Sequence, residues 1–117
     1  MARERLCRAG EIPPGGSRIF PVGPFGIGVF NLDGELLALD NHCPHAGAPV
    51  CRGRITGRTV VGRDRFELIW KDEGRILRCP WHHWEFDIAT GRTLTDPTRH
   101  ARKRPVHVQD GWVYVEL

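Results

Sequence analysis

The sequence predicts an all-β fold of antiparallel strands, and three observations carry that reading. The chain holds 14 Gly and 9 Pro in 117 residues, which fills it with turns. Short runs of alternating apolar and polar side chains recur along it, and none sustains a helical period. Two Asp-Gly pairs, Asp33-Gly34 and Asp110-Gly111, each stand between two such runs, as in two-residue hairpins. With 40% hydrophobic and 26% charged residues the composition is that of an ordinary globular protein. The length is that of one domain, so a single unit over residues 1–117 is expected.

Taken in order, Ile19-Phe20-Pro21-Val22 is a short strand that its proline confines to an edge. Gly26 to Leu32 is a stronger one, with Ile27, Val29 and Asn31 sharing a face. Asp33-Gly34 turns the chain, and Glu35 to Asp40 returns directly into a loop that begins at Cys43. Between His45 and Cys79 stand 33 residues. Within them Thr59 to Gly74 reads as a hairpin excursion, in which Phe66, Leu68 and Trp70 alternate with Glu67, Ile69 and Lys71. Asp72-Glu73-Gly74 is its expected closing turn, followed by Arg75-Ile76-Leu77-Arg78. Extra sheet area is the expected role of this excursion, ahead of partner recognition. Glu85 to Ile88 is a strand, Ala89-Thr90-Gly91 a turn and Arg92-Thr93-Leu94 a short return, which Asp96-Pro97 ends. Val106 to Gln109 and Trp112 to Glu116 form the last hairpin.

The chemistry sits in two stretches, Cys43-Pro44-His45 and Cys79-Pro80-Trp81-His82, which repeat the order Cys then His. Proline beside each cysteine limits the entropy lost when donors converge on a metal. Zinc knuckles usually pair like with like, whereas each stretch here supplies one sulfur and one nitrogen. Mixed pairs suit a dinuclear centre, with both thiolates on one iron and both imidazoles on the other. A mononuclear Cys2His2 zinc site is the competing reading.

Cys43-Pro44-His45-Ala46-Gly47-Ala48-Pro49-Val50 followed by Cys79-Pro80-Trp81-His82, with Trp84-Glu85-Phe86-Asp87 continuing the second box, resembles the C-x-H and C-x-x-H signature of Rieske iron-sulfur proteins. The resemblance runs from about Leu6 to Leu117. It implies a Rieske fold in which two ligand loops form a small cluster-binding subdomain, about residues 41–96. It also implies one 2Fe-2S cluster held by Cys43, His45, Cys79 and His82. The edges of His45 and His82 would reach the surface, and a third loop bearing Pro97 would pack over the cluster.

Replacing two thiolates by neutral imidazoles raises such centres to roughly −150 to +300 mV, above all-Cys ferredoxins at roughly −400 mV. High-potential members add a disulfide between the ligand loops and hydroxyls directed at the cluster. Here the matching positions read Ala48 and Trp81 for the disulfide and Trp84 and Phe86 for the hydroxyls, which implies the low end of the range, as in the ferredoxins of bacterial oxygenase systems. His83 departs from the glycine usual in the family and reads as an exposed loop residue.

The implied function is a one-electron carrier between a reductase and an oxygenase, docking transiently near His45 and His82. Two alternatives are a small subunit of a larger oxidoreductase such as a nitrite reductase, and a zinc-stabilised interaction module. His42, His83, His100 and His107 are too scattered for the mononuclear iron triad of a ring-hydroxylating oxygenase, and no dinucleotide fingerprint is present, so no catalytic site of its own is expected.

The N-terminus lacks an apolar signal core and no run approaches the ~20 apolar residues that span a bilayer, so a cytoplasmic chain is expected, without the anchor of respiratory Rieske proteins. Cys51 is expected to be a small buried hydrophobe and Cys7 inert, with no structural disulfide. Trp70, Trp81, Trp84 and Trp112 are expected in the core or over the cluster, with Trp81 as cover. The run Arg99-His100-Ala101-Arg102-Lys103-Arg104 is the densest charge in a chain of net +3. It reads first as a solvated loop face and second as a steering surface for an acidic redox partner. Nucleic acid comes last, since no interleaved aromatics or binding motif accompany it.

Overall fold

The computed structural model describes residues 3–44, 47–64, 67–81, 84–94, 96 and 98–117. In chain order its strands are β1 (Arg3–Arg8), β2 (Ser17–Phe20), β3 (Ile27–Leu32), β4 (Glu35–Asp40), β5 (Arg54–Val61), β6 (Leu68–Arg78), β7 (Glu85–Asp87), β8 (Lys103–Arg104), β9 (Val106–Gln109) and β10 (Trp112–Glu116). They pair antiparallel in three sheets, ordered β1-β10-β9, β2-β3-β4-β8 and β5-β6-β7. The all-β expectation therefore holds.

Strands β3 and β4 sit in the middle because both of their faces are apolar. Ile27 and Val29 of β3 and Ala38 of β4 pack with Cys7, Val113 and Val115 from the first sheet. From the opposite face, Phe30, Leu32, Leu37 and Leu39 pack with Leu77, Phe86 and the cysteines of the ligand loops. Every residue of β3 is buried. Period-two reading found one face of this strand, and two-sided burial explains why its other face is apolar as well. Asn31 tolerates burial because its amide donates to the Ile12 carbonyl at 2.8 Å and its oxygen accepts from the Gly34 N–H at 2.7 Å.

Both Asp-Gly hairpins form as expected. Asp33 and Gly34 take φ of 53° and 99°, and Asp110 and Gly111 take 53° and 78°. Positive φ at both central residues is the requirement of the type I′ turn that matches strand twist. Strand β2 lies at a sheet edge and ends at Phe20, before Pro21.

Three features differ from the sequence reading. Asp72-Glu73-Gly74 does not close a hairpin but lies inside the continuous strand β6. The register passes from Thr56↔Ile76 to Arg58↔Lys71, so Gly57 alone stands opposite residues 72–75. The turn signal is thus spent on a bulge, with Asp72 at φ 56° and Gly74 at 79°, and Arg58 Nε donating to Asp72 Oδ2 at 2.7 Å. Strand β1 was not anticipated, because Arg3, Glu4, Arg5 and Arg8 hide the pairing of an edge strand to β10. Strand β8 lies within the basic run.

Candidate metal centre

The two cysteine loops are built alike. In the first, the Cys43 N–H donates to the Ala48 carbonyl at 2.8 Å and the Gly47 N–H returns to the Cys43 carbonyl at 2.8 Å. Gly47 adopts φ 73°, a conformation that a side chain would strain. In the second, the Cys79 N–H donates to the Trp84 carbonyl at 2.7 Å, while Arg78 and Glu85 on either side are paired in β6 and β7. Each cysteine amide therefore bonds the carbonyl five residues on. Each loop hangs from a strand anchored in the same core, β4 for the first and β6 for the second.

That common core brings the two sulfurs together. Cys43 and Cys79 are both fully buried in one cluster with Ala48, Val50 and Phe86, and all four cysteines of the chain are free thiols. The Cys79 thiol is pushed up to about 11, chiefly by burial and also by the neighbouring Cys43 thiol, against the Trp81 amide, which lowers it. Two neighbouring thiols in an apolar setting stay protonated unless a cation compensates their charge, and a thiophilic metal does so. This donor pair fits the sulfur half of an iron-sulfur centre. The other expected donors, His45 and His82, lie outside the described residues, as do His83 and Pro97.

Around the thiols, Phe86 is fully buried and Ala48 likewise, so an apolar wall stands where a hydroxyl and a disulfide would otherwise be. Trp84 is half-buried against the same cluster and lies under the Arg99 guanidinium, 5.8 Å from the ring centroid. That contact links the loop of residues 93–99 to the second cysteine loop. The loop is closed by the Thr93 N–H donating to the Arg99 carbonyl at 3.2 Å, and Asp96 within it is held below the usual carboxylate range by hydrogen bonds from Thr98.

Of the tryptophans expected in the core or over the cluster, Trp84 packs against the cysteine cluster and Trp70 does not. Trp70 and Trp81 are exposed, and Trp112 is half-buried between the guanidinium groups of Arg5 and Arg8 at 4.4 and 4.3 Å. Trp81, 51% exposed, stands at the outer surface of the second loop. Cys7 is buried in the other core. Cys51 behaves as a buried small hydrophobe whose thiol faces the Leu39 and Asp40 carbonyls at 3.6 and 3.9 Å, and burial pushes it up to about 12.

The basic run is divided. Ala101 is buried, Arg99, His100, Arg102 and Lys103 are exposed, and Arg104 turns inward to Asp40, its Nε and Nη2 donating to the two carboxylate oxygens at 2.8 and 3.1 Å. Arg104 is thus structural, contrary to a wholly solvated face, and Asp40 holds its guanidinium charge. The only sequence hint of this pair was a carboxylate following the apolar run Leu36 to Leu39. A second feature beyond sequence reading is the stack of His42 on Phe25, with ring centroids 4.1 Å apart. Both line a cavity of about 260 Å³ with Pro44 of the first loop, His100 and Arg102, so the basic run borders that loop.

Among the described residues, no helix is long and apolar enough to cross a membrane. The family described as the Rieske [2Fe-2S] domain matches residues 3–109. The 3-phenylpropionate/cinnamic acid dioxygenase ferredoxin subunit of Photorhabdus laumondii subsp. laumondii is 29% identical, over 100% of this chain and 96% of its own. The ferredoxin component of the naphthalene 1,2-dioxygenase system of Pseudomonas aeruginosa is 30% identical, over 92% of this chain and 88% of its own. In structure the chain is similar to the Sphingomonas yanoikuyae B1 ferredoxin, with a TM-score of 0.70, 29% identity and 99% of both chains covered. The same fold recurs at 24% identity and a TM-score of 0.70 in a Mycobacterium tuberculosis chain described as an NADH-dependent nitrite reductase small subunit, with 97% of this chain and 93% of that one covered. A match running from β1 to β9 through both cysteine loops decides the assignment: the chain belongs to the Rieske [2Fe-2S] domain family, whose prosthetic group is a 2Fe-2S cluster.

Proposed function

We propose that this chain is a one-electron carrier of the Rieske-ferredoxin kind, a single unit over residues 1–117 with a cluster-binding part at about 41–96, taking electrons from a reductase and delivering them to an oxygenase. The observation that carries the proposal is the burial of two free thiols, Cys43 and Cys79, in one core cluster, each with its amide bonded to the carbonyl five residues on. Cys43 and Cys79 would hold one iron and His45 and His82 the other, and the bound group supplies reversible one-electron chemistry. The apolar wall of Ala48, Val50 and Phe86 keeps water from the sulfurs. Gly47, Pro80 and Trp81 are exposed at the loop tips, where an electron partner can approach. The chain acts without a catalytic site of its own, in the cytoplasm.

Docking there is small and transient, under roughly 1,200 Å² in total. Arg102, exposed beside the first loop, and Arg92 and Lys103, which line a surface hollow with it, favour partners with an acidic face and an association rate that falls with salt. A second reading, a permanently held small subunit of an oxidoreductase such as a nitrite reductase, draws on the shared fold of the mycobacterial chain. Low-temperature electron paramagnetic resonance of the dithionite-reduced protein tests the cluster, and a spectrum of an all-thiolate centre or of no centre sinks the proposal. Addition of the holo-protein to a ring-hydroxylating dioxygenase system lacking its ferredoxin separates the readings. A carrier restores turnover catalytically, whereas a fixed subunit does not exchange between partners.

A further inference from the structure

The outer face of the sheet β1-β10-β9 carries a pattern of charge that the sequence hides. In the register of β1 with β10, Arg3, Arg5 and Arg8 stand opposite Glu116, Tyr114 and Trp112. Strict alternation from Arg3 and Arg5 would bring Cys7 to this face, but the irregularity between Arg5 and Cys7 turns Cys7 into the core and Arg8 outward. All three arginines are exposed. The sheet packs on one face of β3 and β4 through Cys7, Val113 and Val115, and the cysteine loops pack on the other, so the arginines look away from the loops.

Aromatic rings order these cations without discharging them. The guanidinium carbons of Arg5 and Arg8 lie 4.4 and 4.3 Å from the Trp112 ring centroid, and that of Arg3 lies 5.8 Å from Tyr114. A cation–π contact fixes a guanidinium and lowers the entropy it loses on binding, while its charge stays whole. Among the described residues, Arg3, Arg5 and Arg8 form no ion pair. Glu11, the next carboxylate along the chain, accepts from the Arg8 N–H and pairs with Arg18 at 3.4 Å. Of the sheet's own carboxylates, Glu116 lies 3.0 Å from His107 Nε2, Glu4 stands on the other face opposite Val115, and Asp110 lies in the hairpin turn.

We propose that this face is a docking surface for a carboxylate-rich segment of a second protein, which Arg3, Arg5 and Arg8 hold through paired N–H···O bonds. Charge complementarity names the class of occupant: three guanidinium groups without ion-pair partners on one ordered face call for an anion, and their forked donors match a carboxylate. Geometry narrows it. Alternate side chains of an extended segment stand roughly 7 Å apart, as do Arg3 and Arg5 along β1. A nucleic-acid base needs an open ring to stack on, and Trp112 already carries two guanidinium groups. A bilayer surface takes up apolar side chains beside the basic ones, and both rings of this face lie against cations instead. The segment comes from another protein, since within this sequence carboxylates adjoin only at Asp72-Glu73. A partner held here leaves the cysteine loops open.

Fluorescence anisotropy of a fluorescein-labelled decaglutamate peptide, titrated with the holo-protein at about 20 mM salt, tests this. Binding is expected, and Arg5→Ala with Arg8→Ala should weaken it roughly tenfold or more while leaving the visible absorption unchanged. Arg5→Lys with Arg8→Lys, which keeps the charge and gives up the fork, should weaken it severalfold. Arg102→Ala with Lys103→Ala, at the cluster end, should weaken it less than either pair. Absence of binding overturns the proposal, as does a lysine variant that binds like the parent or a larger loss from the Arg102 and Lys103 pair. Tighter binding of a decathymidylate overturns it in favour of nucleic acid. Co-sedimentation with phosphatidylserine vesicles that the alanine pair abolishes overturns it in favour of a membrane. None of these readouts depends on electron transfer, so the carrier reading stands or falls separately.

Discussion

Gly28 lies directly under the Cys51 thiol: a β-carbon at Gly28 would stand 2.5 Å from Cys51 Sγ and 3.2 Å from the Phe30 ring. The missing side chain on β3 is what lets the segment after the first cysteine loop settle on the central sheet, where the Cys51 N–H donates to Asn41 Oδ1 at 2.9 Å. Gly28→Ala should cost about 1–3 kcal/mol by overpacking. Cys51→Ala would leave the Cys51 β-carbon 2.7 Å away, so adding Cys51→Gly, which removes both atoms, should recover part of that loss, and a denaturation cycle of the two single variants and the double variant should show strong coupling.

Cys51 also makes stability depend on pH. Burial raises its thiol from the ordinary 9.0 to about 12, so the unfolded chain loses this proton first as pH rises. The stabilising contribution is whole below pH 9 and is lost between about 9 and about 12. Thermal midpoints of the holo-protein should therefore fall above pH 9, and Cys51→Ala should flatten the decline. At pH 8 the folded protein should leave Cys51 unlabelled by iodoacetamide.

Removing a proposed ligand should abolish the centre. Cys43→Ser, Cys79→Ser, His45→Ala and His82→Ala are each expected to purify colourless, against about two irons and two sulfides per chain in the parent. Cys7→Ala, Cys51→Ala and His83→Ala should retain both. Loss of iron in His83→Ala would move the assignment from His82 to its neighbour, and zinc alone in the parent would end the redox account.

The apolar wall of Phe86 and the absence of a disulfide at Ala48 favour a midpoint in the lower part of roughly −150 to +300 mV, and voltammetry giving a value above about +100 mV would contradict this. Phe86→Tyr should raise the potential, because a hydroxyl donor stabilises the added charge.

Asp40 and Arg104 form the most buried ion pair among the described residues, with side chains 8% and 10% exposed, three residues before Cys43. Arg104→Met leaves a buried carboxylate without its partner and should cost roughly 3–5 kcal/mol. Asp40→Asn combined with Arg104→Met should be less damaging than Arg104→Met alone. Guanidinium midpoints, followed by tryptophan fluorescence and visible absorption, check both statements.

Local chemistry alone determined much of this protein. The two Asp-Gly hairpins, the strands from Ile27 to Asp40 and the doubled Cys-then-His order were legible because positive φ, side-chain alternation and ligand spacing are properties of a few adjacent residues. Tertiary structure decided what depends on distant partners. The burial of the Cys43 and Cys79 thiols in one cluster, the inward turn of Arg104 to Asp40 and the burial of both faces of β3 each need an element far away in sequence. So does the spending of Asp72-Glu73-Gly74 on a bulge, since a turn signal states only that the backbone bends, and the strand paired opposite, with Gly57 leaving room, decides whether it reverses or bulges. The exposure of Val61, Leu68 and Trp70 belongs to the same class, because alternation names the apolar face of a strand, but only the assembled sheets reveal whether anything lies against it.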